Sequence, residues 1–416
     1  MTWITLAVVF LLLQIKTSLG DVSITVSGAT TFQTIDGFGC NINGNDPTNY
    51  IGPVLDNLVN NAGMTLFRVI KDREDWAAQS SDYPYTNTYG SQTNFLNLWS
   101  TIGYLNQLGI TNGISISLMG QGPAWMSTNW LDSTTGHTLG CLRLDKVDDW
   151  ANMVGSMVAY AKLTNGLKFN LIEPDNEPEQ DENGSSPTNR LRTLQSSDLT
   201  TDRAGCTNAL HALAAYFETN NLTDMRLIGP SLSHTMSLWD RFYWINTMMS
   251  DPLTRSYVAH VGIHDYYDTQ ADTGSGDNNL YTSAYDFLNK TFPGTNFWVT
   301  EFNKLGNGEY GLPDTNWSYG RDTADFLISH LNNGAAGAEV FTGSDSWMSY
   351  LNHGTGGLSA WGLFDTNQQP RYGYWTVSQI SKYVQPGAQC IGVSGITSPF
   401  NLVPFYGCTA QIVGEF

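Results

Sequence analysis

Two glutamates in matching settings carry the chemistry open to this chain. Glu177 lies in Leu171-Ile172-Glu173-Pro174-Asp175-Asn176-Glu177-Pro178, where an apolar run that begins at Leu167 closes in an Asn-Glu pair held between prolines. Glu301 closes a second apolar run, Phe297-Trp298-Val299-Thr300. An apolar run ended by proline and polar residues reads as a buried strand meeting a surface loop. One such glutamate would be an acidic loop residue; two in equivalent places form a pair. Paired carboxylates suit cleavage of a glycosidic bond, one giving a proton to the leaving oxygen and the other acting as nucleophile or as base for water. The donor must keep its proton near neutral pH, which burial and a second negative charge provide.

Other chemistries fit less well. The seven histidines are scattered and no HExxH occurs, which argues against a zinc hydrolase. Gly229-Pro230-Ser231-Leu232-Ser233 lacks the closing glycine of a nucleophile elbow. Gly37-Phe38-Gly39 has Ile42 where a dinucleotide loop needs a third glycine, and there is no Walker-type Gly-Lys-Ser/Thr. With 19 basic against 38 acidic residues the formal net charge is −19, which disfavours nucleic acid and anionic membranes as partners.

The elements that must position the pair alternate along the chain. After a β-patterned segment, Asp21 to Gln33, a first core strand runs from Ile35 to Asn43. Further strands are expected at Met64–Ile70, Gly113–Met119, Leu167–Ile172, Met225–Gly229, Val258–His264, Phe297–Thr300 and Ala335–Phe341. Helical periodicity fills the intervals: Tyr50–Ala62, Phe95–Leu108, Lys146–Lys162, Thr200–Thr219, Leu238–Met249, Ala284–Lys290, Arg321–Leu331 and Tyr372–Tyr383. Eight β/α units with short connections predict an α/β fold, a (β/α)8 TIM barrel. Glu177 and Glu301 then end strands four and seven, 124 residues or three units of about forty apart, and face one mouth.

The ends carry separate signals. Residues 1–20 read as a signal peptide, with an apolar run from Leu6 to Leu13 too short to span a bilayer and small residues in Ser18-Leu19-Gly20. No later run is long and apolar enough to cross a membrane, so a secreted, extracellular protein is expected. Residues 21–34 and 386–416 are expected to form a small β side layer beside a catalytic barrel at 35–385. Too few residues follow the last helix for a full β-sandwich, so the C-terminus is expected to be incomplete and the layer partial. Five cysteines show no metal-ligand spacing; Cys390 and Cys408 are a plausible disulfide, with Cys40, Cys141 and Cys206 unassigned. Sequons at Asn183, Asn221, Asn289 and Asn316 fit a glycoprotein.

The chain resembles clan A glycoside hydrolases, and glycoside hydrolase family 30 most. The resemblance rests on Ile35-Asp36-Gly37-Phe38-Gly39, Pro123-Ala124-Trp125-Met126, Asn176-Glu177-Pro178, His264-Asp265-Tyr266, Trp298-Val299-Thr300-Glu301, Ser378-Gln379-Ile380-Ser381-Lys382-Tyr383 and Pro386-Gly387-Ala388, in the family's order across the chain. It implies Glu177 as acid/base and Glu301 as nucleophile of a retaining mechanism. Asn176 would bond the sugar 2-hydroxyl, and Arg68 would keep Glu301 ionised. His264 and Tyr266 would be the strand-six pair, the tyrosine orienting Glu301, and Trp125 and Trp347 would be aromatic walls of the sugar site. Trp76, Trp130, Tyr267 and Trp361 are weaker candidates for outer subsites. Two segments depart from the family pattern, Asn41 to Asn45 and Lys71-Asp72-Arg73-Glu74-Asp75, both expected at the mouth.

The expectation is therefore a secreted retaining β-glycoside hydrolase acting on a β-linked polysaccharide of xylan or β-glucan type, monomeric, with no metal or organic cofactor. Two rivals stand beside it: an exo-acting glycosidase on glycolipid or oligosaccharide, of glucosylceramidase type, and a non-catalytic carbohydrate-binding barrel. The presence of both glutamates argues against the last.

Overall fold

The computed structural model describes residues 25–46, 48–72, 76, 79–119, 123–131, 138–178, 199–232, 238–266, 279–303, 317–345, 361–394 and 410–412. The strands are β1 (Thr25–Thr34), β2 (Gly37–Asn43), β3 (Leu66–Asp72), β4 (Ile114–Met119), β5 (Ser127–Leu131), β6 (Thr138–Leu142), β7 (Leu171–Glu173), β8 (Arg226–Leu232), β9 (Val258–Asp265), β10 (Asn296–Phe302), β11 (Gly337–Val340), β12 (Gln389–Ser394) and β13 (Ala410–Ile412). The helices are α1 (Thr48–Asp56), α2 (Thr86–Ser91), α3 (Thr93–Gln107), α4 (Val147–Ala159), α5 (Leu199–Thr219), α6 (Leu238–Ser250), α7 (Pro252–Tyr257), α8 (Asn279–Thr291), α9 (Trp317–Asn332) and α10 (Tyr372–Ser381).

Eight strands close into a barrel in the order β10-β11-β2-β3-β4-β7-β8-β9, every neighbour parallel, with helices following strands as the periodicity expects. The fold is a (β/α)8 barrel. Parallel strands buried on both faces need apolar residues outward against the helices. Phe67, Val69, Ile114, Ile116, Ile172, Val299, Ala338 and Val340 meet that need as part of one continuous core. Inside the barrel, Leu66, Leu171, Ile228, Trp298 and Ala336 form a separate apolar plug. Gly39 lets β2 approach β3 closely, since a Cβ there would fall 1.6 Å from the Leu66 carbonyl oxygen. Above the plug the inward positions turn polar, which is where the candidate site begins.

The terminal segments pair as expected. β1 runs antiparallel to β12, and β13 adds to the far side of β12, giving a three-stranded side layer. Mutual backbone bonds, Ile35 N–H to Ala388 O at 2.8 Å and Gly387 N–H to Ile35 O at 2.7 Å, tie it to the barrel.

Several details differ from the sequence expectation. The fourth barrel strand is only Leu171–Glu173, because Leu167 turns back and its N–H bonds the Ala161 carbonyl at 3.0 Å. An antiparallel hairpin, β5 with β6, follows β4 where no strand was read. Lys71 does not line the mouth: it is fully buried, with its ammonium 4.8 Å from the Phe95 ring centre and 5.8 Å from that of Trp76. Arg73 to Asp75 lie outside the described residues.

A buried histidine sets one pH response of the fold. His330 on α9 meets the rings of Phe302 and Phe326 edge-on, and burial pushes its pKa down to about 3. The unfolded chain takes up this proton near the ordinary histidine value of about 6.5, the folded chain only far lower. Its stability contribution is thus complete above about pH 6.5 and is lost as pH falls toward 3. Urea denaturation between pH 6 and pH 4 should show a slope component of about 1.4 kcal/mol per pH unit that His330→Gln removes.

Candidate active site

Arg68, on β3, projects into the barrel with its side chain wholly out of solvent. Its Nε–H donates to Glu173 at the end of β7, and one terminal nitrogen donates to Glu301 on β10 and to Asn41 Oδ1 on β2 at 2.7 Å. The other donates to Asn176 Oδ1 at 2.6 Å. Burial works against the cation, but Glu173 and Glu301 outweigh it and push the Arg68 pKa above its ordinary value.

Glu301 reaches this position through an irregularity in β10. The register against β9 shifts between Val299 and Glu301, which brings Glu301 opposite His264. One Glu301 oxygen takes the Arg68 bond, and the other accepts from the Tyr266 hydroxyl. Burial first, and the facing Glu301 charge second, hold the Tyr266 phenol well above its usual range, so it stays a donor.

Glu177 sits three residues past Pro174, with backbone φ of +46°, a left-handed conformation that costs a non-glycine residue of order 1 kcal/mol. Its N–H is pinned to the Ser231 carbonyl on β8 at 3.0 Å, and Ser231 is itself left-handed at φ +53°. The Glu177 side chain keeps 15 % exposure against 5 % for Glu301. His264, fully buried, has Nδ1 2.9 Å from Glu177 Oε1 and 3.4 Å from Glu301 Oε2. One donor atom from each of Glu177, His264 and Glu301 lies within 4.8 Å of the others. They are the one such grouping among the described residues that could hold a cation. A cation there would share Glu301 with the buried guanidinium of Arg68, which opposes it electrostatically.

Of the residues singled out from sequence, Glu177, Glu301, Asn176, Arg68, His264 and Tyr266 converge here. Trp125 stands beyond β4 in a short 3-10 turn, half-buried against the main core, with Lys146 Nζ 5.5 Å from its ring centre. Trp347, Tyr267 and the side chain of Trp130 lie outside the described residues. Trp76 is a core residue, edge-on to Phe95 at 5.2 Å. Trp361 packs edge-on against Tyr266 at 5.5 Å and so belongs to the site wall. Asn221 and Asn289 are exposed; Asn183 and Asn316 lie outside the described residues. Cys390 is buried in β12 and Cys408 lies outside the described residues, so their pairing is not described.

Two further acids of the inner layer escaped sequence reasoning. Glu173 accepts from Arg68 and, on its other oxygen, from the Ser231 hydroxyl. Burial raises its carboxyl above the ordinary range while Arg68 pulls it back. Glu339 on β11 is fully buried, neither carboxyl oxygen has a hydrogen-bond partner, and burial pushes it well above the carboxylate range. The signal available was the spacing of Glu173 four residues before Glu177, but its inward direction needs the barrel register.

No model of a known protein family matches the sequence, and no curated protein does. Solved structures do match. Several of these structural neighbours are glycoside hydrolases. A family 30 endoxylanase from Clostridium papyrosolvens superposes with a TM-score of 0.61 at 17% identity, over 91% of this chain and 79% of that one. An endo-β-1,6-glucanase gives 0.63 at 16%, over 91% and 82%. A monomeric β-xylosidase from Caulobacter crescentus gives 0.55 at 15%, over 89% and 73%. At such identities the likeness is one of fold.

Removing the cation should be costly. Arg68→Met leaves buried carboxylates without their counter-ion and should lower stability at pH 7 by about 3–5 kcal/mol in urea denaturation. A loss under about 1 kcal/mol would mean the network is not what holds these acids.

Proposed function

We propose that this chain is a secreted retaining β-glycoside hydrolase that cleaves a β-linked polysaccharide of xylan or β-glucan type by double displacement. The observation that carries the reading is the approach of Glu177 and Glu301, one oxygen of each within 4.8 Å at one end of the barrel. Retaining pairs stand about 5–5.5 Å apart, whereas inverting pairs leave room for a water at roughly 6.5–9.5 Å.

The roles follow from the surroundings. Glu301 is held by Arg68 and Tyr266, which keep it ionised and aimed, so it is the nucleophile. Its oxygen attacks the anomeric carbon as the bond to the leaving oxygen breaks, and Glu177 passes its proton to that oxygen. Glu177, more exposed and facing the negative Glu301, is the member of the pair that carries the proton. In the second half the sugar ester is hydrolysed, with Glu177 now drawing the proton from water. Arg68 takes up the Asn176 carbonyl oxygen, which leaves the amide NH2 as the end that can donate to a sugar hydroxyl beside Glu301. Secretion is supported by the signal-like residues 1–20, and an uncharged polysaccharide suits the acidic surface. A barrel that only bound carbohydrate would gain nothing from a strained acid placed against an ionised partner.

Glu301→Ala should abolish turnover on every substrate. Glu177→Ala should cost roughly 10²–10⁴-fold on polysaccharide yet spare aryl glycosides with good leaving groups, which need little proton donation. Reducing-sugar release from a polysaccharide panel and NMR of the first-formed anomer are the measurements. Equal losses on both substrate types, or an inverted anomer, would overturn the assignment.

A further inference from the structure

The interior around Arg68 holds an excess of acid. Three buried carboxyls, Glu173 on β7, Glu301 on β10 and Glu339 on β11, act electrostatically on one guanidinium. Among the described residues, His264 from β9, Tyr266 just past it and Glu177 past β7 also face the cluster; Cys40, whose thiol faces Glu339 from β2, is pushed up by burial and by that acid. Glu339 accepts no hydrogen bond, and burial pushes its carboxyl well above the ordinary range. Glu173 differs: both its oxygens accept hydrogen bonds, from Arg68 and from Ser231, the arrangement of a carboxylate. Arg68 therefore serves two anions at once.

We propose that Glu173 is a positioning residue that acts on the nucleophile through Arg68: it shares the cation with Glu301 in the free enzyme and becomes the one carboxylate still hydrogen-bonded to it when Glu301 is a neutral sugar ester. The inference rests on Glu301 being the nucleophile. Two consequences follow from charge alone. Half a counter-ion leaves Glu301 more electron-rich than a full ion pair would. When the ester forms and the Glu301 charge disappears, Glu173 keeps the guanidinium from being stranded without a counter-ion in the interior.

Glu173→Gln preserves the side-chain volume and tests this. With 13C-labelled glutamate carboxyls, the resonance missing from Glu301→Gln identifies Glu301. In Glu173→Gln that resonance should titrate roughly one pH unit lower than in the wild type, because a negative neighbour is gone. The acid limb of kcat/KM should move down with it. On an activated aryl glycoside, kcat/KM should fall about tenfold while any burst of released phenol disappears, since the ester now forms slowly and is hydrolysed readily. A merely structural role would lower the melting temperature and leave the titration, the acid limb and the burst unmoved, and that result would overturn the proposal. If Glu173→Gln does not fold, Ser231→Ala, which removes a hydrogen bond favouring the charged Glu173, should shift the Glu301 resonance in the same direction by less. Glu339→Gln should not shift it; an equal shift there would assign the sharing to Glu339 and sink the idea. Because the titration needs no turnover, it decides the point even if no polysaccharide is cleaved, an outcome that would count instead against the glycosidase reading.

Discussion

The site depends on one guanidinium kept entirely out of water. A buried charge is tolerated only when it is paired and its donors are satisfied. Arg68 meets both conditions by drawing on Asn41 of β2, Glu173 of β7, Asn176 just beyond it and Glu301 of β10. Those acceptors come from opposite sides of the barrel. The same bonds that neutralise the cation therefore hold the strands at a fixed spacing and a fixed stagger, and the two glutamates of the mouth inherit that precision. The apolar plug of Leu66, Leu171, Ile228, Trp298 and Ala336 supports the cluster on its other side and denies it water.

The division of labour between barrel and site explains what could be read from sequence. Strands and helices announce themselves through period and run length, because the outward face of each strand must be apolar against a helix. Glu177 and Glu301 were legible for a related reason: each is a charge at the abrupt end of an apolar run. Arg68, Asn176, His264 and Tyr266 came from the likeness to a known family rather than from pattern. Glu173 and Glu339 were not legible, since whether a strand residue points in or out depends on register, and β10 changes register just before Glu301. Lys71 shows the same limit from the other direction: a charge in a polar run proved to be tucked beneath aromatic rings. The β5–β6 hairpin was missed because Ser127-Thr128-Asn129-Trp130-Leu131 shows no clean alternation.

The comparisons show the same asymmetry from outside the molecule. Identity of 15–17% is compatible with superposition over about nine-tenths of the chain, because a barrel constrains patterns of burial more than residue types. Charge balance inside it is more demanding. Arg68 hydrogen-bonds both Glu173 and Glu301, so a substitution at any one of the three alters the surroundings of the other two.

The backbone at Glu177 carries a different lesson. The residue sits on the segment that leaves β7, yet its N–H is anchored to Ser231 on β8. Its location is thus tied to the neighbouring strand as well as to its own. An acid held from two strands moves only when both move, so its place follows the closure of the barrel rather than the path of one segment.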